Sequence, residues 1–281
     1  TEKRDGTSLR LGTMKTSLYV RSYGGVVPRN RIVSRSFAGG GFPWNGRTKA
    51  TVSTMVTPVV LVHGWGGSFA TTWQRSGFTE LLRDAGKPVI GVDLLGHGTA
   101  PKPHDPDAYG DLGARVLEAM PDEPVDAVGF SLGAITLLRL ATEHPHRFRK
   151  LVLAGVGRNV FERDESAGER ILAAVEGRAP DDDTEALVFA QYARADGNDP
   201  IALAAVFRRP SVALAPDELS GVTCPTLVVI GDKDFAGPGD PLAAALPHAT
   251  LKVLRNVDHF ATPEAFGFID AALEFIDAIP A

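Results

Sequence analysis

The sequence predicts an α/β fold in which a mostly parallel central sheet carries helices on both faces and a small helical insertion. Three observations lead there. From Met55 onward, short apolar β-branched runs alternate with longer helical stretches, the pattern of a parallel sheet buried on both sides. Residues 157–222 form an interval far longer than the few residues a connection between neighbouring strands needs. No uninterrupted apolar run reaches the roughly 18 residues of a membrane-spanning helix.

The strands are predicted at Val59–Val62, Val89–Val92, Val125–Val128, Leu151–Leu153, Thr226–Ile230 and Leu251–Leu254. Helices are predicted at Thr79–Ala85, Tyr109–Met120, Leu132–Glu143, Pro241–Leu246 and Pro263–Ile279. In the last of these, Phe266, Ile269, Leu273 and Ile276 recur at near-helical spacing and are read as core. The long interval divides into three short helices, Ser166–Val175, Thr184–Ala193 and Pro200–Phe207, punctuated by Gly177, Pro180, Gly197 and Pro210. Its Asp181-Asp182-Asp183 run suits a solvated loop that caps the helix after it. An insertion at the carboxyl end of a strand lies over the crevice where open α/β sheets bind ligands. The chain therefore divides into a core of residues 57–156 and 223–281 and a lid of residues 157–222.

Composition narrows the function classes. The 281 residues are 44% hydrophobic and 22% charged, ordinary for a globular enzyme. A single cysteine, Cys224, excludes an intrachain disulfide framework and a cysteine-built metal site, and it reads as a packed core thiol. Charge is unevenly spread. Residues 1–56 carry ten Lys/Arg and two Asp/Glu, whereas the remainder carries 19 and 32. This basic, Ser- and Gly-rich arm is expected to be a poorly ordered tail, or an upstream extension of a start at Met55. Ser17–Ser22 and Arg31–Phe37 are weak strand-like pieces that would fit an opening hairpin instead. The arm contains no recognised nucleic-acid module and no continuous apolar secretory stretch, so nucleic-acid binding is not expected and a cytoplasmic location is.

The most informative segment is Gly129-Phe130-Ser131-Leu132-Gly133, a Gly-x-Ser-x-Gly run between a predicted strand and a predicted helix. That is the context of a nucleophile elbow, a turn so tight that side chains at the two glycines would strike neighbouring backbone. It lifts the Ser131 hydroxyl to a helix N-terminus, where free N–H groups favour developing negative charge.

A serine alcohol needs a base. Of seven histidines, His259 follows the last strand and so reaches the sheet edge that presents Ser131. His63 and His97 suit loop-shaping roles, His144 and His146 a helix stop, and His104 and His248 proline-flanked turns. The base in turn needs a carboxylate to hold its tautomer. Two follow the fifth strand in Gly231-Asp232-Lys233-Asp234: Asp234 is the choice and Asp232 the reserve.

A tetrahedral oxyanion requires aimed N–H donors. Leu132, directly after the nucleophile, should supply one. The glycine-rich loop His63-Gly64-Trp65-Gly66-Gly67 should supply the other from Trp65. Phe161, Phe189, Tyr192 and Phe207 of the insertion, with Phe130 and Phe260 beside the nucleophile and base, are expected to wall the substrate pocket.

Together Val59–Gly67, Asp93–Gly98, Gly129–Gly133, Gly231–Asp234 and Asp258–Phe260 resemble, in order and spacing, the landmarks of the α/β-hydrolase superfamily. The resemblance implies hydrolysis by a Ser-His-Asp triad under a helical lid, without metal or organic cofactor. It points to a small or medium, fairly apolar ester or lactone as substrate. The same triad would also serve C–C or amide hydrolysis or acyl transfer, and the fold can serve as a non-catalytic ligand receptor. Ser131 disfavours the haloalkane- and epoxide-cleaving members, which use an aspartate nucleophile. Two features depart from the family pattern. Asp258 stands where a glycine usually precedes the histidine, and the usual opening antiparallel strands are hard to see in residues 1–56. The sequence leaves the oligomeric state and the particular substrate open.

Overall fold

The computed structural model describes residues 56–279 apart from 163, 179 and 181. The basic arm and its weak strand pieces therefore lie outside the described residues. Six strands form one wholly parallel sheet: β1 (Val59–Val62), β2 (Val89–Val92), β3 (Val125–Phe130), β4 (Phe148–Ala154), β5 (Thr226–Gly231) and β6 (Ala249–Leu254), in the order β2-β1-β3-β4-β5-β6. Parallel pairing requires crossovers, and the helices that make them cover both faces.

Alternation within each strand divides the core in two. Val60, Val62, Ala127, Leu151 and Leu153 face α2 (Ala114–Ala119), α3 (Leu132–Glu143) and α7 (Asp240–Ala245). Val59, Leu61, Val128, Val152 and Val229 face α1 (Phe78–Asp84) and α8 (Phe266–Phe275), with the rings of Trp73, Phe78 and Phe268 packed against one another there. The chain leaves β1 for β2 on one side and returns to β3 on the other. The crevice between the carboxyl ends of β1 and β3 is thus a topological switch point, where such sheets place ligands.

Three elements differ from the sequence reading. Phe266 is 83% exposed rather than core. A short helical turn at Thr262–Glu264 precedes α8, so Phe266 begins the helix at its solvent corner. The buried face is built by Phe268, Ile269, Ala272 and Leu273. The helix expected over Tyr109–Met120 breaks into a turn at Pro106–Tyr109 and the shorter α2. Gly110 and Gly113 interrupt it, and the Asp111 carboxylate accepts from Ala114 N–H to start α2 afresh. A helical turn at Phe69–Gln74 was not anticipated, although Ser68 and Thr71 form a reciprocal cap there that the sequence carries.

The insertion contributes α4 (Glu165–Val175), α5 (Thr184–Ala193) and α6 (Pro200–Arg208), which share an apolar cluster including Ile171, Phe189 and Leu203. Each helix opens on an aspartate that accepts from its first-turn amides: Asp164 from Ala167, Asp183 from Ala186, and Asp199 from Ile201 and Ala202. At the ends of the interval, Val160, Leu214, Leu219 and Val222 pack into the sheet core. Among the described residues no helix is long and apolar enough to cross a membrane.

At the opposite end of the sheet from that crevice, Asp126 is fully buried. Arg149 Nε donates to its carboxylate at 2.7 Å and a second guanidinium nitrogen pairs with the other oxygen, while Lys87 Nζ lies at 3.6 Å. Lys87 and Arg149 also donate to the Ile276 carbonyl at the end of α8. Asp126→Ala is expected to cost about 3 kcal/mol or more, because it leaves Lys87 buried without its counter-charge. Chemical unfolding checks this. A loss below about 0.5 kcal/mol, the range of ordinary surface substitutions, would show that the network contributes little.

Candidate active site

β3 delivers Ser131 and α3 begins at the next residue, so Ser131 occupies the turn with φ 52° and ψ −116°. A non-glycine residue at positive φ is costly, and such strain persists only where the surroundings enforce it. Here Ser131 N–H donates to Ala154 O on β4, and Ser131 O accepts from Ile135 in α3. The two flanking glycines are sterically required. A Cβ on Gly129 would stand 2.7 Å from Ala134 backbone, and one on Gly133 would stand 2.4 Å from Val62 O.

His259 arrives on the loop between β6 and α8, 4% exposed, with Nε2 3.0 Å from Ser131 Oγ. Its Nδ1 lies 2.9 Å from Asp234 Oδ1, and that oxygen also accepts from Ala236 N–H. The other Asp234 oxygen is buried and has no hydrogen-bond partner among the described residues. The remaining two aspartates are committed elsewhere. Asp232 Oδ1 accepts from Asn256 N–H at 2.7 Å, and Asp258 Oδ1 accepts from Ala261 N–H at 2.9 Å.

The His259 ring is held between two aromatic rings, Phe235 at 4.2 Å and Phe130 at 4.9 Å between centroids. Phe235 escaped the sequence reading. Its signal was position alone: the residue after the chosen aspartate is carried to the same edge.

Trp65 N–H and Leu132 N–H donate to no acceptor among the described residues. The peptide plane that carries Trp65 N–H is fixed through its other end, Gly64 O, which accepts from Gly67 N–H at 3.1 Å and His63 Nδ1 at 2.7 Å. His63 Nε2 accepts from Leu94 N–H, tying this loop to the one after β2. Asp93 shapes that second loop. Burial alone would raise its pKa, but bonds from Thr99 and Phe69 N–H and the Thr99 hydroxyl hold it below the usual carboxylate range.

Ser131 and His259 open onto a cavity of about 310 Å³. Phe130, Phe189, Tyr192 and Phe260 border it, together with Arg75 after the turn at Phe69–Gln74 and Glu264 in the turn before α8. Burial pushes the Tyr192 phenol up. Phe207 does not border the cavity. It packs behind Trp65 at 4.7 Å. Phe161, which closes the turn at Arg158–Val160, is partly buried and packs against the sheet core instead.

His63 and His97 lie with ring centroids 5.0 Å apart, both fully buried. Desolvation lowers the pKa of both, that of His97 from 6.5 to about 3. His97 Nδ1 faces the Leu95 carbonyl while its Nε2 has no partner among the described residues, an arrangement that suits the neutral ring. The unfolded chain therefore binds more protons than the folded one between these values, so stability is complete above about pH 6.5 and declines as pH falls towards 3. The melting temperature should drop between pH 7.5 and pH 5, and His97→Asn, which can still donate to Leu95 O, should shrink that drop. An unchanged drop would remove His97 as its source.

These elements define a class: a parallel α/β sheet that presents a hydrogen-bonded Asp-His-Ser series at its carboxyl edge, beside the backbone amides of Trp65 and Leu132. The sequence profile of the alpha/beta hydrolase family matches residues 59–275, and the chain belongs to that family. Over 111 residues it is 38% identical to a pimeloyl-acyl-carrier-protein methyl ester esterase of Neisseria meningitidis, covering 38% of this chain and 40% of the relative. Over 104 residues it is 38% identical to a 2-hydroxymuconate semialdehyde hydrolase of a Pseudomonas species, covering 35% and 36%. The chain thus spans about two fifths of the length of the curated relatives it matches. A solved hydrolase of Pseudomonas aeruginosa shares the fold, with a TM-score of 0.61 at 23% identity over 80% of this chain and 91% of that one.

Proposed function

We propose that this protein is a serine hydrolase that cleaves a small or medium, fairly apolar carboxylic ester or lactone through an acyl-enzyme intermediate. The observation that carries the reading is the continuous series from Asp234 through His259 to Ser131 Oγ, opening onto an aromatic-lined cavity. Ser131 Oγ attacks the acyl carbon as His259 Nε2 takes its proton. Asp234 holds the proton on Nδ1 and stabilises the imidazolium. Trp65 and Leu132 N–H receive the oxyanion, each donor of this kind being worth roughly 3 kcal/mol in a preorganised site. His259 then returns its proton to the leaving alkoxide. A water, activated by the same histidine, releases the acid.

The insertion at 157–222 serves as a lid in this reading, since Phe189 and Tyr192 of α5 border the cavity. Pimeloyl-acyl-carrier-protein methyl ester esterase is by its name an ester hydrolase, which supports the choice of bond. A 2-hydroxymuconate semialdehyde hydrolase acts by its name on a semialdehyde rather than an ester, and that similarity supports a second reading, C–C cleavage by the same triad.

A series of p-nitrophenyl esters from acetate to decanoate, run beside a γ-lactone and an anilide, tests the assignment. A cavity of 310 Å³ is at the lower end of the roughly 300–1,000 Å³ found for small-molecule sites, so turnover should peak at short to medium acyl chains. Anilide cleavage faster than that of any ester or of the lactone, or no turnover of either esters or lactone, would overturn it.

A further inference from the structure

The loop that carries Trp65 is gripped from two sides, and the second grip comes from the insertion. Asn198, between α5 and α6, donates from Nδ2 to Gly66 O at 2.7 Å and to Tyr192 O at 2.8 Å. Both amide hydrogens are therefore used, and turning the amide over would set its oxygen against two carbonyls. Trp65 Nε1 donates to Leu203 O in α6 at 3.1 Å, and the indole packs on Phe189 and Phe207. Gly66 sits at φ +72°, with Tyr192 Cβ 3.2 Å from where its own Cβ would be. The insertion thus rests directly on the backbone of this loop.

We propose that Asn198 is a positioning residue, which acts with the Trp65 indole to aim Trp65 N–H into the oxyanion site and so makes the insertion part of the catalytic apparatus. This rests on the serine-hydrolase reading above. The physical reason is planarity. The core fixes Gly64 O, at one end of the peptide whose other end is Trp65 N–H, through His63 and Gly67. Gly66 O and Gly67 N–H are the two ends of a second peptide plane, so the hold of Asn198 on Gly66 O keeps Gly67 N–H aimed at Gly64 O. Without it that peptide can rotate at a glycine, leaving Gly64 O to His63 alone. Displacement of the insertion would then weaken transition-state binding, besides exposing the cavity.

The test compares wild type with Asn198→Leu, which keeps the volume but cannot donate, and with Asn198→Asp, which sets a carboxylate against the two carbonyls. Trp65→Phe removes the indole donor while keeping an aromatic ring. Turnover of p-nitrophenyl butyrate and inhibition by butylboronic acid, whose tetrahedral adduct mimics the oxyanion, are measured together with melting temperatures. With a donor misplaced by about 1 Å, kcat should fall about 30-fold with KM within about threefold, and boronate affinity should fall in parallel. Trp65→Phe should move both in the same direction by less. Folded Asn198 variants that keep wild-type kcat and boronate affinity, or that change KM alone, would overturn the proposal. A wild-type protein with no Ser131-dependent turnover of an ester or a lactone would instead overturn the reading beneath it.

Discussion

Replacing Ser131 with alanine is expected to abolish ester turnover, by as much as about a millionfold where nucleophile and base act as a unit. It should also abolish covalent labelling by a fluorophosphonate. The expectation rests on Ser131 Oγ lying 3.0 Å from His259 Nε2 and on the turn that holds the serine at φ 52°. A large loss of stability is not expected. The lost hydroxyl donates only towards His259, and the turn is enforced by the backbone bonds to Ala154 and Ile135. The melting temperature should therefore stay close to wild type while activity vanishes, which separates loss of chemistry from loss of fold. His259→Ala should be nearly as inactive, and the double variant scarcely worse than either. Mass-spectrometric recovery of the fluorophosphonate on any other serine would sink the assignment.

Asp234→Asn should lower turnover by about ten-thousandfold with the fold retained. The carboxylate accepts from His259 Nδ1 at 2.9 Å, which keeps Nε2 bare to take the Ser131 proton. An amide in its place can donate towards Nδ1, favouring the tautomer with its proton on Nε2, and it carries no charge to offset the imidazolium. Asp232→Asn and Asp258→Asn should lose far less. Their carboxylates accept from Asn256 and Ala261 N–H in turns, where the amide oxygen can substitute. Assay of all three at one pH, with melting temperatures as the folding control, decides among them. If Asp232→Asn were the inactive variant, Asp234 would not be the acid in this site.

Much of this arrangement is legible along the chain, because it depends on local physics. Strand alternation, the Gly-x-Ser-x-Gly turn and the placement of an aspartate and a histidine after successive strands all follow from short-range rules. A parallel sheet then carries every strand end to one edge. The strand positions and the bounds of α3 and α5 were readable for that reason. The Phe266 error has the opposite cause. Helical spacing marks a face, but not where the helix starts, and the turn at Thr262–Glu264 moved Phe266 to a solvent corner.

What the sequence by itself determined was the fold class, the insertion, and the candidates Ser131, His259 and Asp234 with Asp232 in reserve. Tertiary structure alone decided the rest. It paired Asp234 with His259 while engaging Asp232 and Asp258 in turns, and it set the Phe235 ring against the histidine. It set Phe161 against the sheet core, and it brought Asn198 onto the backbone of a loop 132 residues earlier. The reason is that hydrogen-bond choice among chemically equal groups is settled by distances of a few ångströms between separate segments. Periodicity within one segment holds no information about those distances.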